Sequence, residues 1–140
     1  MPLLPCACAA LRRAARATTQ LYDREFRGTG VNEAQFGLLQ ALARVGPVTQ
    51  GRLGRLLAID STTLSRTLRP LEVKRWIRSE PGKDRRERQI ALTGAGRSQL
   101  GRATPAWERA QERLRERIGS ERWAALLAEL AAVAGAARQA

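Results

Sequence analysis

The chain has 140 residues, of which 44% are hydrophobic, so it can form one domain with a packed core. Its 25 lysines and arginines outnumber 13 acidic residues, and the net charge of +12 favours an acidic partner, nucleic acid before an anionic membrane surface. No apolar run reaches the roughly 18 residues of a membrane-spanning helix, so we expect a cytoplasmic protein with no membrane partner.

The positive charge is concentrated in the middle of the sequence. Residues 49–93 hold 11 basic and 5 acidic side chains, a net of +6, whereas the two flanking segments carry +3 each. This distribution predicts a dedicated surface for nucleic acid. The alternative is a general enrichment in arginine, which would raise the charge along the whole chain.

Two helices are predicted before the basic segment. The first begins near Pro5 and runs to about Arg27, because apolar and small residues recur there at helical spacing. The second begins near Glu33, since Asn32 can cap it, and it ends before the Gly-Pro pair at residues 46–47. Its expected core residues are Phe36, Leu39 and Leu42.

Two short helices separated by a tight turn follow. Thr49 can cap the first and Asp60 the second, and Gly54 leaves room where the two would cross. The second helix is expected to end near Lys74, with its last turn bent by Pro70. Its expected core residues are Leu64, Leu68 and Leu71.

A hairpin is predicted next. Residues 76–80 have the pattern of one strand, Ile90 and Leu92 alternate with polar or small residues in the other, and residues 81–86 are typical of a turn. The hairpin therefore follows directly on the second short helix.

Two helices complete the chain. A long helix is expected over residues 93–118 with a kink near Pro105, and the Gly-Ser pair at residues 119–120 separates it from a last helix. Trp107 and Trp123 are expected to pack in the core or between subunits rather than to form a ligand platform.

The order of helix, tight turn, helix and hairpin predicts a winged helix-turn-helix: mainly α, with a small β-hairpin wing and long flanking helices. The second short helix would enter the major groove of double-stranded DNA, and the hairpin would reach the adjacent backbone or minor groove. Hydroxyl and guanidinium groups exposed on that helix suit base edges and phosphates. They are Ser61, Thr62, Thr63, Ser65, Arg66 and Arg69.

Four segments, in this order, resemble the signature of the MarR family of transcriptional regulators. They are residues 49–57 (TQGRLGRLL), 60–66 (DSTTLSR), 84–86 (DRR) and 92–97 (LTGAGR). The resemblance implies a homodimer built by residues 1–30 and 94–140 around a DNA-binding region of residues 31–93, the whole forming one intertwined domain. It also implies a transcriptional regulator, a repressor without a cofactor, that binds a palindromic operator and is released by a small apolar or aromatic effector.

The wing and the start of the first short helix complete the predicted DNA-binding set. Its members are Gln50, Lys83, Arg85 and Arg86, and Asp84 resembles the family acid that orients a neighbouring arginine.

Two residues depart from the family pattern. Ala58 stands where the family usually has the turn glycine, and Arg75 where it usually has a glycine after the recognition helix. A left-handed backbone at either would cost about 1 kcal/mol.

Cys6 and Cys8 lie two residues apart near the expected start of the first helix. With no histidine and no other cysteine, they cannot complete a tetrahedral zinc site within one chain. One hypothesis is a thiol sensor, in which oxidation or a thiophilic metal joins thiolates across the dimer and provides a redox signal. The other is simple packing at the subunit interface.

Other functions have less support in the sequence. Without histidine, a carboxylate pair or a glycine-rich phosphate loop, the chain is not expected to be an enzyme. The remaining alternative is a basic architectural protein that coats nucleic acid without sequence preference. A last group of residues is expected to form a solvated helix face with charge pairs along the helix: Arg109, Glu112, Arg113, Glu116 and Arg117.

Overall fold

The computed structural model describes residues 5–84 and 86–140, and most of them are helical. The elements are α1 (Ala7–Phe26), α2 (Glu33–Val45), β1 (Val48–Thr49), α3 (Gln50–Leu57), α4 (Ser61–Val73), β2 (Ile77–Pro81), β3 (Arg88–Leu92), α5 (Gly94–Ile118) and α6 (Ser120–Gln139). Within these described ranges, no helix is both long and apolar enough to cross a membrane.

Side-chain caps mark the starts of four helices. Asn32 accepts a hydrogen bond from the backbone N–H of Gln35 at 2.8 Å, and the Gln35 side chain accepts from the Asn32 N–H at 3.1 Å, which completes a capping box. Thr49, Asp60 and Thr93 each accept from the backbone N–H three residues further on, at 3.2, 2.9 and 3.0 Å. Local capping chemistry therefore sets the starts of α2, α3, α4 and α5.

A small antiparallel sheet has the strand order β1-β3-β2. In the hairpin, which the alternating pattern predicted, Ile77 pairs with Leu92 and Ser79 with Ile90. The third strand, β1, was not predicted: it has only two residues, and Val48 pairs with Ile90 from the other side. Such a short strand has no periodicity of its own and exists only through its tertiary partner.

One core joins the flanking helices to the middle of the chain. Phe26 of α1 and Phe36 of α2 lie with ring centroids 5.0 Å apart, and Trp107 of α5 stacks on Phe36 at 6.0 Å. The expected core leucines of α2 and α4 are buried, whereas Leu56 of α3 is half exposed. The stacking of Trp107 on Phe36 places it against the core, as expected.

The start of α5 is fixed to the corner between α4 and β2. A Cβ on Gly96 would lie 2.0 Å from the carbonyl oxygen of Trp76, so only glycine fits this approach. The Thr93 hydroxyl donates to the carbonyl of Arg75 at 2.6 Å. These contacts hold the first turn of α5 against the end of α4.

A buried glutamine links α5 to the loop between α1 and α2. Gln99 donates through Nε2 to the carbonyl oxygen of Thr29 and accepts from Arg102 at 2.6 Å. Lys74 of the α4 end donates to the carbonyl of Gly30 at 3.3 Å in the same loop. The link through Gln99 was not predicted, because only the tertiary structure brings this loop beside α5.

A second link joins α5 to α1 through ion pairs. Glu25, whose side chain is only 13% exposed, pairs with Arg109 at 3.2 Å and Arg113 at 3.0 Å. Arg109 and Arg113 are exposed, as predicted for a solvated face, but their ion pairs reach Glu25 on α1 instead of running along α5. Arg115 and Glu112 do pair along α5, at 2.6 Å.

The two internal prolines do not end their helices. Helix α4 continues through Pro70 to Val73, and α5 continues through Pro105. The α4 end agrees with the prediction, and the Lys74 N–H bonds the carbonyl of Pro70 at 3.1 Å. Together, α3, the turn, α4 and the β2–β3 hairpin form a winged helix-turn-helix with long flanking helices, which confirms the predicted fold class.

Candidate nucleic-acid interface

The turn between α3 and α4 depends on close approach and a left-handed residue. Ala58 has φ 54° and ψ 43°, the left-handed region that the family's turn glycine would favour. A Cβ on Gly54 would lie 3.0 Å from the carbonyl oxygen of Ile59, so the two helices cross at a residue without a side chain. Arg75, the other departure from the family pattern, is also left-handed with φ 59°.

Asp60 caps α4 with both carboxylate oxygens. Oδ1 accepts from the backbone N–H of Thr63 at 2.9 Å, and Oδ2 accepts from the Thr63 hydroxyl at 2.7 Å. Both hydrogen bonds lower the pKa of the Asp60 carboxyl, and the one from the Thr63 backbone N–H has the larger effect. The Thr63 proton is therefore used inside the cap, which makes Thr63 a less available donor to DNA than its neighbours.

The recognition helix α4 has one buried face and one exposed face. Leu64, Leu68 and Leu71 are buried. The predicted DNA contacts on α4 are all exposed and lie on its outward surface: Ser61, Thr62, Thr63, Ser65, Arg66 and Arg69. The hydroxyl and guanidinium groups thus form one continuous surface that starts at the positive end of the helix dipole.

Gln50 lies beside this surface at the start of α3. Its Nε2 donates to the Ser65 hydroxyl oxygen at 2.7 Å, which links α3 to α4 on the exposed side. Both residues were predicted as DNA contacts, but their contact with each other was not. Fifteen residues separate them, and only the helix-turn-helix crossing brings them together.

The turn at the tip of the wing is stabilised by local hydrogen bonds to Asp84. The Glu87 N–H bonds the carbonyl of Asp84 at 3.0 Å, and the Arg86 N–H bonds the Asp84 carboxylate at 3.1 Å. Asp84 thus acts on the backbone of the turn. Its predicted orientation of an arginine side chain stays a prediction, because Arg85 lies outside the described residues. Lys83 and Arg86 are exposed.

Two further arginines, one on the hairpin and one on α6, were not selected by the sequence pattern. Arg88 of β3 donates to the Ser79 hydroxyl at 2.8 Å on the hairpin. Arg138 of α6 lines a cleft of about 440 Å³ together with Gln50, Asp60 and Ser61. The only sequence signal for either is positive charge, which many other arginines share.

Cys6 and Cys8 lie at the start of α1. Cys6 is the N-cap residue, Cys8 belongs to the first turn, and both are exposed free thiols. In the described part of the chain, no cluster of three or more histidine, cysteine or acidic residues could hold a metal ion.

A larger cleft of about 710 Å³ lies between α1, α5 and α6. Its lining is mostly apolar, with Trp107 and Trp123 among the aromatic residues. Tyr22, which also lines it, donates through its hydroxyl to Gln111 Oε1. Burial raises the pKa of Glu33 in this lining, and Asp23 raises it further. Burial also raises the pKa of Tyr22.

Known proteins are similar to this chain in sequence and in architecture. The sequence model of the MarR family matches residues 29–87. The transcriptional regulator MosR of M. tuberculosis, solved in complex with DNA, is 34% identical, with a TM-score of 0.81 over 95% of this chain and 98% of MosR. The transcriptional repressor CouR, solved bound to a 23-mer DNA duplex, is 27% identical, with a TM-score of 0.83 over 92% of each chain.

A curated relative agrees with these structures. The uncharacterized HTH-type transcriptional regulator YwoH of Bacillus subtilis (strain 168) is 28% identical over 83 residues, which span 59% of this chain but only 61% of YwoH. The match to the family, the identity to MosR over almost its whole length and the winged helix-turn-helix agree with one another, and none of these relatives is named as an enzyme. The chain therefore belongs to the MarR family of transcriptional regulators.

Proposed function

We propose that the protein is a repressor that binds a palindromic operator as a homodimer, with α4 in the major groove and the wing on the adjacent backbone. The observation that carries this proposal is the exposed surface of α4, where hydroxyl and guanidinium groups surround a capped helix start. The DNA in the MosR and CouR complexes supports it, and because CouR is a transcriptional repressor, the likeness to CouR supports the direction of regulation. DNA binding also supports the predicted cytoplasmic location.

The dimer is supported by an apolar surface on α6. Leu127, Leu130 and Val133 are 48%, 40% and 40% exposed and share one side of the helix. A second copy of the chain would remove these side chains from water. In our proposal, residues 1–30 and 94–140 form this dimerisation region, and the two α4 helices meet successive major grooves roughly 34–36 Å apart.

Substitution of single arginines should separate base reading from backbone contact. We expect Arg66→Ala to weaken operator binding by about 1–3 kcal/mol if its contact is bidentate to a base. Arg86→Ala should instead reduce the slope of log K against log salt by about one for each lost phosphate contact. Fluorescence anisotropy at several salt concentrations measures both, on operator fragments found by footprinting and on random duplexes.

The control is Arg122→Ala, which removes an exposed charge from α6 outside residues 49–93. It should leave operator affinity within twofold of the wild type. If wild-type protein binds random and footprinted duplexes equally at every salt concentration, the architectural alternative is correct and the operator proposal is wrong.

The effector, in this proposal, is a small apolar or aromatic compound that binds in the 710 Å³ cleft on the side of α1 and α5, because Leu127 and Leu130 on its α6 side belong to the proposed dimer surface. Support comes from the apolar lining and from the contact between Tyr22 and Gln111, which offers polar groups beside Trp107. The cleft lies between α1 and α5, and α5 in turn contacts the α4–β2 corner through Gly96. Occupation of the cleft would thus act on the recognition helix through α5.

A redox signal is the second proposed input: Cys6 and Cys8 are exposed free thiols on the single chain, where they are open to oxidants and metals and also to packing against a second subunit. We expect peroxide or a thiophilic metal to lower the operator affinity of the wild type, because a cross-link between subunits would change the spacing of the two α4 helices. The same treatment of a Cys6→Ser, Cys8→Ser variant should change nothing. Equal wild-type affinity in reduced, oxidised and metal-treated protein would contradict thiol sensing.

A further inference from the structure

We propose that Gln50 fixes the direction of the Ser65 hydroxyl, so that Ser65 acts as a hydrogen-bond donor to one base pair in each half-site. The recognition helix then selects a base with an acceptor there, guanine O6 or N7, adenine N7 or thymine O4, and rejects the amino group of cytosine. This inference rests on the proposed operator binding.

The contact between the two side chains assigns their roles. Gln50 Nε2 donates to Ser65 Oγ at 2.7 Å. A serine hydroxyl has one proton and two lone pairs, and a Gln50 N–H occupies one lone pair. The proton therefore has to find an acceptor other than this amide.

The other hydroxyls of α4 show where such a proton goes when it stays inside the protein. Thr67 donates back to the carbonyl of Thr63 at 3.0 Å, and Thr63 donates to Asp60 at 2.7 Å. For Ser65, no carbonyl or carboxylate within the described ranges accepts its proton. Because Ser65 is exposed, the proton is available to a group that approaches from outside.

The neighbours of Ser65 suit a base contact. Leu64 directly before it is buried, Arg66 directly after it is exposed, and Arg69 lies one turn further along the outward surface. The arginines can supply attraction to any DNA, since a guanidinium binds phosphate as well as bases. A single oriented hydroxyl adds little attraction, but it discriminates between an acceptor and an amino group at the base pair it faces. Gln50 is thus a positioning residue for sequence selectivity.

Gln50→Glu provides the test, because it reverses the hydrogen bond while it preserves side-chain length. A carboxylate can only accept, so Ser65 would donate to it and would present lone pairs to the base instead. The binding sites that the wild type selects from a randomised duplex library identify the base pair that faces Ser65. The affinity for that site is then compared with the affinity for the same site carrying cytosine at this position.

We expect the wild type to prefer the acceptor base by about 3- to 10-fold per half-site, the contribution of one hydrogen bond. The Gln50→Glu variant should reverse or abolish this ratio, and Ser65→Ala should abolish it with either residue at position 50. The added negative charge weakens both duplexes equally and cancels in the ratio. The Ser61→Ala variant removes a neighbouring α4 hydroxyl to which, within the described residues, Gln50 makes no hydrogen bond, so in that background the effect of Gln50→Glu should persist.

The outcomes separate this inference from the proposed function. If the wild type selects no sequence at all, operator binding itself is wrong. If it selects a site and the Gln50→Glu variant keeps the same base ratio, operator binding stands and the role of Gln50 is overturned. The same conclusion follows if Ser65→Ala retains the ratio.

Discussion

Replacing Gly96 by alanine is expected to destabilise the protein by about 3 kcal/mol, the upper part of the range for overpacking. The new methyl group would lie 2.0 Å from the carbonyl oxygen of Trp76 and 2.8 Å from Leu92 Cδ1. Backbone cannot move aside as a flexible side chain can, so α5 would have to separate from the α4–β2 corner. Urea or thermal unfolding followed by circular dichroism measures the loss.

A matched control exists in the same helix. A Cβ on Gly101 would meet no atom within 4 Å, so Gly101→Ala adds only helix propensity. We expect it to raise the free energy of unfolding by about 0.5–1 kcal/mol. Equal stability of the Gly96 and Gly101 variants would show that the first turn of α5 does not pack against Trp76 as described.

The second large effect concerns assembly. Leu127→Glu would place a charge in the apolar surface of α6, where burial of an unpaired carboxylate opposes association. We expect a monomer at micromolar concentration by light scattering. Operator affinity should fall by about 100-fold, because a dimer gains its second half-site contact without a further bimolecular step.

Ala132→Glu is the control for this substitution. Ala132 is exposed on the side of α6 opposite Leu127, so the same charge there should leave both the mass and the affinity unchanged. A dimeric Leu127→Glu variant with full operator affinity would require a subunit interface that does not use this face of α6.

Features with a local cause could be predicted from the sequence. The caps at Asn32, Thr49 and Asp60 depend on hydrogen bonds to residues three positions away, so the starts of α2, α3 and α4 were visible in the chain itself. The leucines of α4 follow helical spacing, which identified the buried face and, by subtraction, the exposed DNA-facing candidates.

Features with a distant cause could not be predicted. The strand β1 exists because Val48 meets Ile90, and the role of Gln99 depends on a loop 70 residues away. Glu25 was not recognised because its two arginine partners lie on another helix. At the candidate interface, sequence selected Gln50 and Ser65 separately, but the direction of their hydrogen bond required the crossing of α3 and α4.

The contacts of Gln99 also bear on how such regulators can be recombined. A Cβ on Gly30 would lie 3.1 Å from Gln99 Nε2, so the Gln99 amide would have to shift away from its hydrogen bond with Thr29, and the φ of 87° at Gly30 also favours glycine. A chimera that takes α5 from another regulator would therefore have to inherit the loop at residues 28–30 with it. The winged helix-turn-helix and the long flanking helices are thus not interchangeable modules, and exchange between paralogues has to preserve this junction as a unit.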